Sequence, residues 1–490
     1  MTTALDKNTQ ALQALFGNAA LASRLGTTRI AVVSSADALE PSGVLLAAIL
    51  ADVLARLWPT IHFSGLGAEQ NLVTALSAAT SGGCVGDGLT VQWAPPYDIV
   101  ISIGCEAPSV ATHTLRVGAD GWNAQIGPLA NCGGSDNPVG PAFASAMVAA
   151  QVFYRVFEAE LDGMGAVLID DCSVDVRKLF NTPDLEVSDF DLDETHVFGV
   201  GAVTHGLVQL IEHWPRMVSG MLHLIDQDKY GSTNGQRYAF MRPQNAGQQK
   251  VVEVAVRLKA AHPELFVIPH VKDLNTYCAE RGYDKPLLRV IAGLDSAEAR
   301  RHVALKLPEH AVNMWTEGVR IGAGRYMPAA QGACLACDYL EKLDTLLDEV
   351  AQLHQQTGLR PDVVRSLLDT SRGLEPHEAA TVASRWGIAP EQFCGQPLRS
   401  VMPALCATGR LQLLNNPEAV DVPFAFASLF AGIAGFMMLL KDIKGGNAPS
   451  QGWTQHVFKK PTGYMHRLLP ARDECVCCTE QAHLAIETME

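Results

Sequence analysis

The run His196-Val197-Phe198 passes without a break into Gly199-Val200-Gly201, and a helical pattern follows from Ala202. Strand, glycine turn and helix in that order open a βαβ unit of the nucleotide-binding kind, in which backbone N–H groups at the helix start face phosphate. A second apolar run, 221–225, ends at Asp226, about 20 residues past the glycines, where an acid that bonds a ribose hydroxyl belongs. Thr204 stands where a third glycine would complete the fingerprint, and a glycine turn also serves plain tight packing.

The residues after Asp226 narrow the choice. A dinucleotide site needs little beyond the acid, yet Asp228, Asn234, Gln236 and Arg237 follow closely, and Lys250 opens a long helix after Asn245-Ala246-Gly247. A guanidinium fork and an ammonium point charge suit a polyphosphate, whereas a dinucleotide's two phosphates are met mostly by backbone N–H groups. The run 287–294 reads as a buried parallel strand delivering Asp295 at its end, with a helix from Ser296. A carboxylate there can hold Mg²⁺ beside phosphates.

The segments LIDQDKYGSTNGQRY, NAGQQK and AGLDSAEARR resemble the adenylation domain of the ThiF/MoeB and ubiquitin-activating enzyme superfamily, with its Asp-x-Asp, Asn-x-x-Arg, Gly-x-x-Lys and later Asp. The spacing agrees without gaps from Asp226 to Lys250, and the resemblance covers 195–340 best. It implies that Gly199, Gly201, Asp226 and Asp228 belong to the ATP site. By the same resemblance Asn234, Arg237 and Lys250 meet the phosphates and Asp295 meets the magnesium.

With 490 residues and 48% apolar content, the chain can bury two or three cores without disulfides. A net charge of −15 with no cluster of Lys and Arg speaks against nucleic acid. The opening MTTALDKNTQ lacks the basic and apolar regions of a secretory signal, so a cytoplasmic location with reduced cysteines is expected. The stretch 422–440 carries no charge and is long enough to span a membrane, but Pro423, Ser428, Gly432 and Gly435 mark it as a buried core helix. No membrane partner is expected, and a homo-oligomer is left open.

The fold expected is α/β, with two Rossmann-like lobes. Residues 1–165 repeat the strand–helix rhythm (29–33, 43–57, 60, 98–103, 142–157), but Val33-Ser34-Ser35 replaces the glycine turn and no phosphate-binding pattern follows. This lobe is read as an inactive copy, with a faint echo of Phe143-Ala144-Ser145 and Phe153 in Phe426-Ala427-Ser428 and Phe436. The family plan pairs an inactive with an active lobe and sends an arginine from the former to ATP; Arg24 is a weak substitute for it. Residues 166–194 read as an acidic crossover, 195–337 as the first part of the active lobe, 338–420 as a helical insert, and 421–490 as the last crossover helix with a metal-binding end.

The cysteines divide by spacing. Cys334-x-x-Cys337 and Cys475-x-x-Cys478 offer the four thiolates that tetrahedral Zn²⁺ prefers, with Cys477 as a spare. In the insert, Cys394 and Cys406 lie in turn-like contexts. The resemblance places a thioester cysteine in this interval, and the small residues and glycine after Cys406 favour it over Cys394; a small buried hydrophobe is the plainer reading of either.

The implied activity is ATP-dependent adenylation of the C-terminal carboxylate of a ubiquitin-like protein, then transfer to Cys406 as a thioester for a conjugating enzyme. The two-lobe plan is similar to bacterial ubiquitin-activating-like enzymes of conjugation operons, some of them antiviral. Two other readings stand: adenylation of a sulfur carrier for thiamin or molybdopterin type synthesis, and a nicotinamide-dependent oxidoreductase or silent scaffold on the same Rossmann unit.

Overall fold

The structure is a computed structural model describing residues 5–65, 88–90, 95–104, 111–282, 287–328, 332–340, 350, 353–354, 357–370, 372–386, 389–398, 424–445, 449–462, 466–472, 475 and 477–478. Continuous apolar runs such as Ile30-Ala31-Val32-Val33 have no polar face to show to water, so they become central parallel strands covered on both sides. The first sheet contains β1 (Ile30–Ser34), β2 (Thr60–Gly65), β3 (Gly88–Thr90), β4 (Tyr97–Ile103), β5 (Ala111–Asp120), β6 (Asn123–Ile126) and β7 (Cys172–Asp175). The second contains β8 (Phe190–Phe198), β9 (Val218–Ile225), β10 (Leu265–His270), β11 (Arg289–Ala292), β12 (His310–Glu317), β13 (Arg320–Tyr326), β14 (Gln451–His456) and β15 (His466–Leu468).

The two sheets share one plan. Their orders are β3-β2-β1-β4-β5-β6-β7 and β10-β9-β8-β11-β12-β13-β14-β15. In each, the first five strands in chain order pair in parallel and the later ones antiparallel. The helices used below are α1 (Pro41–Ala55), α2 (Val139–Val156), α3 (Ala202–Glu212), α4 (Lys250–Ala261), α5 (Leu274–Arg281), α6 (Ala297–Ala304), α7 (Pro361–Thr370), α8 (Pro376–Trp386) and α9 (Ala425–Lys444). Helix α2 lies between β6 and β7 and α9 between β13 and β14, so the Phe-Ala-Ser echo sits on topologically equivalent helices.

Helices α2 and α9 join the lobes. Phe143 meets Phe430 edge-on with centroids 5.1 Å apart, and Phe153 packs on Phe424 at 4.5 Å. Helix α9 is long and apolar enough to cross a membrane, yet its most apolar stretch is 94% buried, as the centre of the protein's core. Gly206 of α3 and Gly432 of α9 let the two backbones touch, since a Cβ on Gly432 would lie 2.6 Å from the Gly206 carbonyl carbon.

The acidic stretch 166–194 holds more order than its composition implies. Cys172–Asp175 is the last strand of the first sheet, Asp175 caps a helical turn by accepting from Arg177 N–H at 3.0 Å, and β8 begins at Phe190. The acids Asp191 and Asp193 therefore lie on a strand. Two compact units result, Met1–Tyr339 with Val420–Glu490, and Leu340–Ala419. The second contains α7 and α8, both opened by proline, around its own core of Val364, Leu367, Ala379 and Val382.

Candidate active site

The carboxyl ends of β8, β9 and β11 converge on a cavity of about 1090 Å³. Parallel strands order this: all three run the same way, so the residues that follow them meet at one edge. Gly199, Gly201, Asp226, Asp228, Asn234, Arg237, Lys250 and Asp295 all line it.

The glycine turn is built differently from the fingerprint. Gly199 has φ +85°, and a Cβ there would lie 2.7 Å from the Gly293 carbonyl oxygen, so no other residue fits. Gly201 is under no such restriction. Thr204 donates its hydroxyl to the Gly199 carbonyl at 2.7 Å and fills the space over Gly293, where a Cβ would lie 2.0 Å from Oγ1. The threonine thus fastens the turn, and Gly206 provides the close helix packing. Behind the turn, buried His205 holds the Gly201 carbonyl at 2.8 Å through Nδ1, so Nδ1 carries the proton and Nε2 accepts from Tyr230 Oη at 2.6 Å. Burial keeps this imidazole neutral, with its pKa down at about 3.

Asp226 serves the loop before any ligand arrives. Its carboxylate accepts from Val200 N–H and Asp228 N–H, both at 2.8 Å. Lys250 Nζ donates to Asp228 Oδ2 at 2.9 Å, stands 3.7 Å from Asp226 and lies over the Tyr238 ring at 5.6 Å. Burial pulls the lysine's pKa down, but Tyr238, Asp226 and Asp228 outweigh it and hold the ammonium above its ordinary value. The Asp228 carboxylate is 63% exposed, so a phosphate can take its place on Lys250 with little desolvation. Arg237 also stacks over Tyr238, at 5.7 Å, and its Nε is buried with no hydrogen-bond partner. An unpaired guanidinium donor beside a lysine is the arrangement an incoming phosphate completes. Asp295 precedes α6, whose first turn Ser296 caps by accepting from Ala299 N–H at 3.1 Å. These carboxylates and cations fit ATP with Mg²⁺.

Arg24 does not belong here. It forms a two-pronged pair with Glu160 at 2.9 and 2.8 Å on its own lobe, because Glu160 follows closely on α2 and faces it. The first-lobe arginine that does reach across is Arg56. It is fully buried, paired with Asp52 at 2.6 Å, and donates to the carbonyls of Gly235 and Met241. Asp52 also accepts from Phe240 N–H at 3.2 Å. The loop carrying Asn234 and Arg237 is therefore anchored by the first lobe. The only sequence signal was an Asp–Arg pair four apart in an otherwise apolar helix.

Cys334, Cys337, Cys475 and Cys478 gather with all four sulfurs within 4.8 Å of one another. The closest pairs, Cys334–Cys475 and Cys337–Cys478, are both 3.4 Å apart, and Cys334–Cys337 is 3.9 Å. Tetrahedral zinc with bonds of about 2.3 Å needs sulfurs about 3.8 Å apart, so the donor set fits. Hydrogen bonds from Cys334 and Cys478 push the Cys337 thiol down, towards the thiolate a metal needs. Replacing Cys334 with serine is expected to release about one zinc per chain and to lower the melting temperature, because a structural metal contributes directly to folding; metal analysis that finds no zinc in reduced wild-type protein overturns this. Cys394 is exposed in the Leu340–Ala419 unit, and Cys406 lies outside the described residues. Cys477 is buried beside the cluster.

A doubly wound lobe with a cavity of carboxylates and cations at its strand ends has the build of a nucleotide-binding fold. The model of the ThiF family matches residues 188–444, and the chain belongs to that family. It is 30% identical over 402 residues to the uncharacterized protein y4jF of Sinorhizobium fredii (strain NBRC 101917 / NGR234), covering 78% of this chain and 76% of the relative. Crystal structures of E. coli MccB with succinimide and with SeMet MccA align at TM-scores of 0.35 and 0.36 with 11% identity, over 74% of this chain and 97% of theirs. That likeness is too distant to bear on this chain. Family membership supports E1-like adenylation of a carboxylate, with ATP and Mg²⁺.

Proposed function

We propose that this protein activates the C-terminal carboxylate of a ubiquitin-like protein and passes it to a conjugating enzyme. The observation that carries the reading is the gathering of Asp226, Asn234, Arg237, Lys250 and Asp295 around one cavity, in a chain of the ThiF family. The partner's carboxylate oxygen attacks the α-phosphate of ATP, forming the acyl–O–P bond while the bond to pyrophosphate breaks. Lys250 and Arg237 neutralise the charge that develops on the leaving group, and Asn234 orients the phosphates. Asp295 holds Mg²⁺, which supplies further charge neutralisation when bound. No protein nucleophile is needed for this step.

The second step uses a thiolate. Cys406 attacks the acyl carbon and AMP leaves with the bonding electrons, so the product is a thioester. The four-cysteine cluster holds zinc and fixes the end of the chain to the segment after β13. The two-lobe plan with an inserted helical unit supports conjugation as carried out by the bacterial activators this chain resembles, in the cytoplasm. The cations spent on phosphate weigh against a nicotinamide site, which needs none of them.

The acceptor is tested with single variants. Cys406→Ala is expected to keep ATP–pyrophosphate exchange in the presence of the partner and to lose the dithiothreitol-sensitive adduct on a non-reducing gel, while Cys394→Ala keeps both. The reverse pattern moves the acceptor to Cys394. A dithiothreitol-sensitive adduct that survives in the double variant places the thioester elsewhere and overturns both assignments; no adduct in the wild type overturns the thioester step and leaves the sulfur-carrier reading.

A further inference from the structure

Three adjacent parallel strands of the second sheet carry histidines in a row. His196 of β8 and His223 of β9 are register partners, stacked with centroids 4.6 Å apart and planes 6° apart. His270, at the end of β10, stacks on His223 at 5.2 Å, and its Nε2 lies 2.9 Å from His223 Nδ1. Glu194 shares the face of His196 because strand side chains alternate, and its Oε1 is 3.5 Å from His196 Nε2 and 3.8 Å from His223 Nε2. Tyr277 of α5 covers the row, 4.7 Å from the His270 ring. None of these residues lines the nucleotide cavity.

The row is unfinished as a piece of core. His196 is completely buried, and neither of its ring nitrogens makes a hydrogen bond of good geometry; Glu194 stands off at 3.5 Å and the Arg289 backbone only approaches the ring. His223 Nε2 is likewise buried and unpaired. Three buried imidazole nitrogens in one place without a hydrogen bond are costly, since each has lost water and the Glu194 carboxylate is the nearest charge, at 3.5 and 3.8 Å from the two Nε2 atoms. Ordinary packing does not account for them.

We propose that Glu194, His196 and His223 form a second metal site, for a borderline divalent transition ion such as zinc. Two imidazoles and a carboxylate are a recurring donor set for such ions, and magnesium or calcium would want oxygen instead. Bonds of about 2.0–2.2 Å place ligand atoms about 3.3 Å apart, and these three donors already lie within 4.8 Å of one another. The two rings lie parallel, so an ion would turn them to bring both lone pairs onto it. When His223 Nδ1–H donates to His270, Nε2 is left with its lone pair free, which is how a second residue commonly orients a ligating histidine. Arg281 fixes the Glu194 carboxylate by donating to Oε1 at 2.8 Å, which leaves the second lone pair of Oε1 and all of Oε2 for an ion. Glu194 is 41% exposed, which provides the access route.

The ion ties β8 to β9 beneath α5. The His270 carbonyl accepts from Asp226 N–H at 3.2 Å, and Lys272, Asp273 and Asn275, just beyond it, line the cavity. Binding is therefore expected to stiffen one wall of the nucleotide site without touching the nucleotide, and it does not depend on which carboxylate is activated.

The test is a Co²⁺ titration of the full chain after chelator treatment, in reducing buffer. Wild type is expected to take up two equivalents, one with the sulfur charge-transfer absorption of the cysteine cluster and one with only weak visible bands. His223→Ala and Glu194→Ala, at partly exposed positions, should each lose the second class, with affinity down at least tenfold, and keep the first. Cys334→Ser should do the opposite. Wild type that saturates at one equivalent, or His223→Ala that still binds two, overturns the proposal; melting curves of the metal-free proteins show whether a variant has folded.

Discussion

Lys250→Ala is expected to lower ATP–pyrophosphate exchange by roughly 10²–10³-fold, the effect of removing one preorganised charge from a transition state. The ammonium is nine-tenths buried and held by two carboxylates and an aromatic face, so it is in place before the phosphate arrives. Other cations of the cavity are placed differently: Arg237 lies on a different loop, Lys272 pairs with Glu280 and Arg300 donates to Asn313. The fold should survive, because Asp228 is exposed and can find water once its partner is gone. Asp295→Ala should cause a loss of similar size through the metal rather than through the protein's own charge. The check is isotope exchange with the activated partner present, beside a melting curve. Exchange within a factor of three of wild type in either folded variant removes the ATP-site assignment.

Arg56→Ala is expected to cost about 3–5 kcal/mol, the usual result of leaving one member of a buried ion pair alone. Asp52 would be stranded, and the carbonyls of Gly235 and Met241 would lose their donors. For lobes of this size that is a fall of roughly 6–20 °C in melting temperature. A second effect separates anchoring from bulk stability. The double variant Asp52→Leu/Arg56→Met should recover most of the stability, as apolar replacement of a buried pair often does, yet it should still bind ATP weakly because the loop carrying Asn234 and Arg237 stays loose. Calorimetric binding equal to wild type in the double variant would show that Arg56 only fills space.

What could be read before the fold was known follows from what is local in the chain. Buried parallel strands are continuous apolar runs, so β1, β4, β8 and β9 stand out, and the groups that face phosphate follow those strands at intervals fixed by the backbone. Strand β7 was hidden because four residues in an acidic stretch carry too little pattern to mark a strand. Thr204 looked like a defect in the fingerprint, since a hydroxyl bond to a turn carbonyl leaves no trace in spacing. Arg56, and the row of Glu194, His196 and His223, depend on residues far apart in sequence. His196 sits within an apolar strand, and its neighbours across the sheet become visible once the register is known.

Helix α9 lies at the centre of the protein, but its residues come after the whole Leu340–Ala419 unit. On a ribosome the first lobe's strands emerge early, and the face of α2 that meets Phe430, Phe424 and Phe426 lacks these partners until the chain has passed residue 430. Synthesis at about 5–20 residues per second makes that delay on the order of ten seconds to a minute. Throughout it the nascent chain presents an aromatic surface and an incomplete second sheet, which are the features that invite aggregation. The inserted unit, with a core of its own, can fold during this interval. Its presence ahead of α9 therefore lengthens the period before the shared core can close.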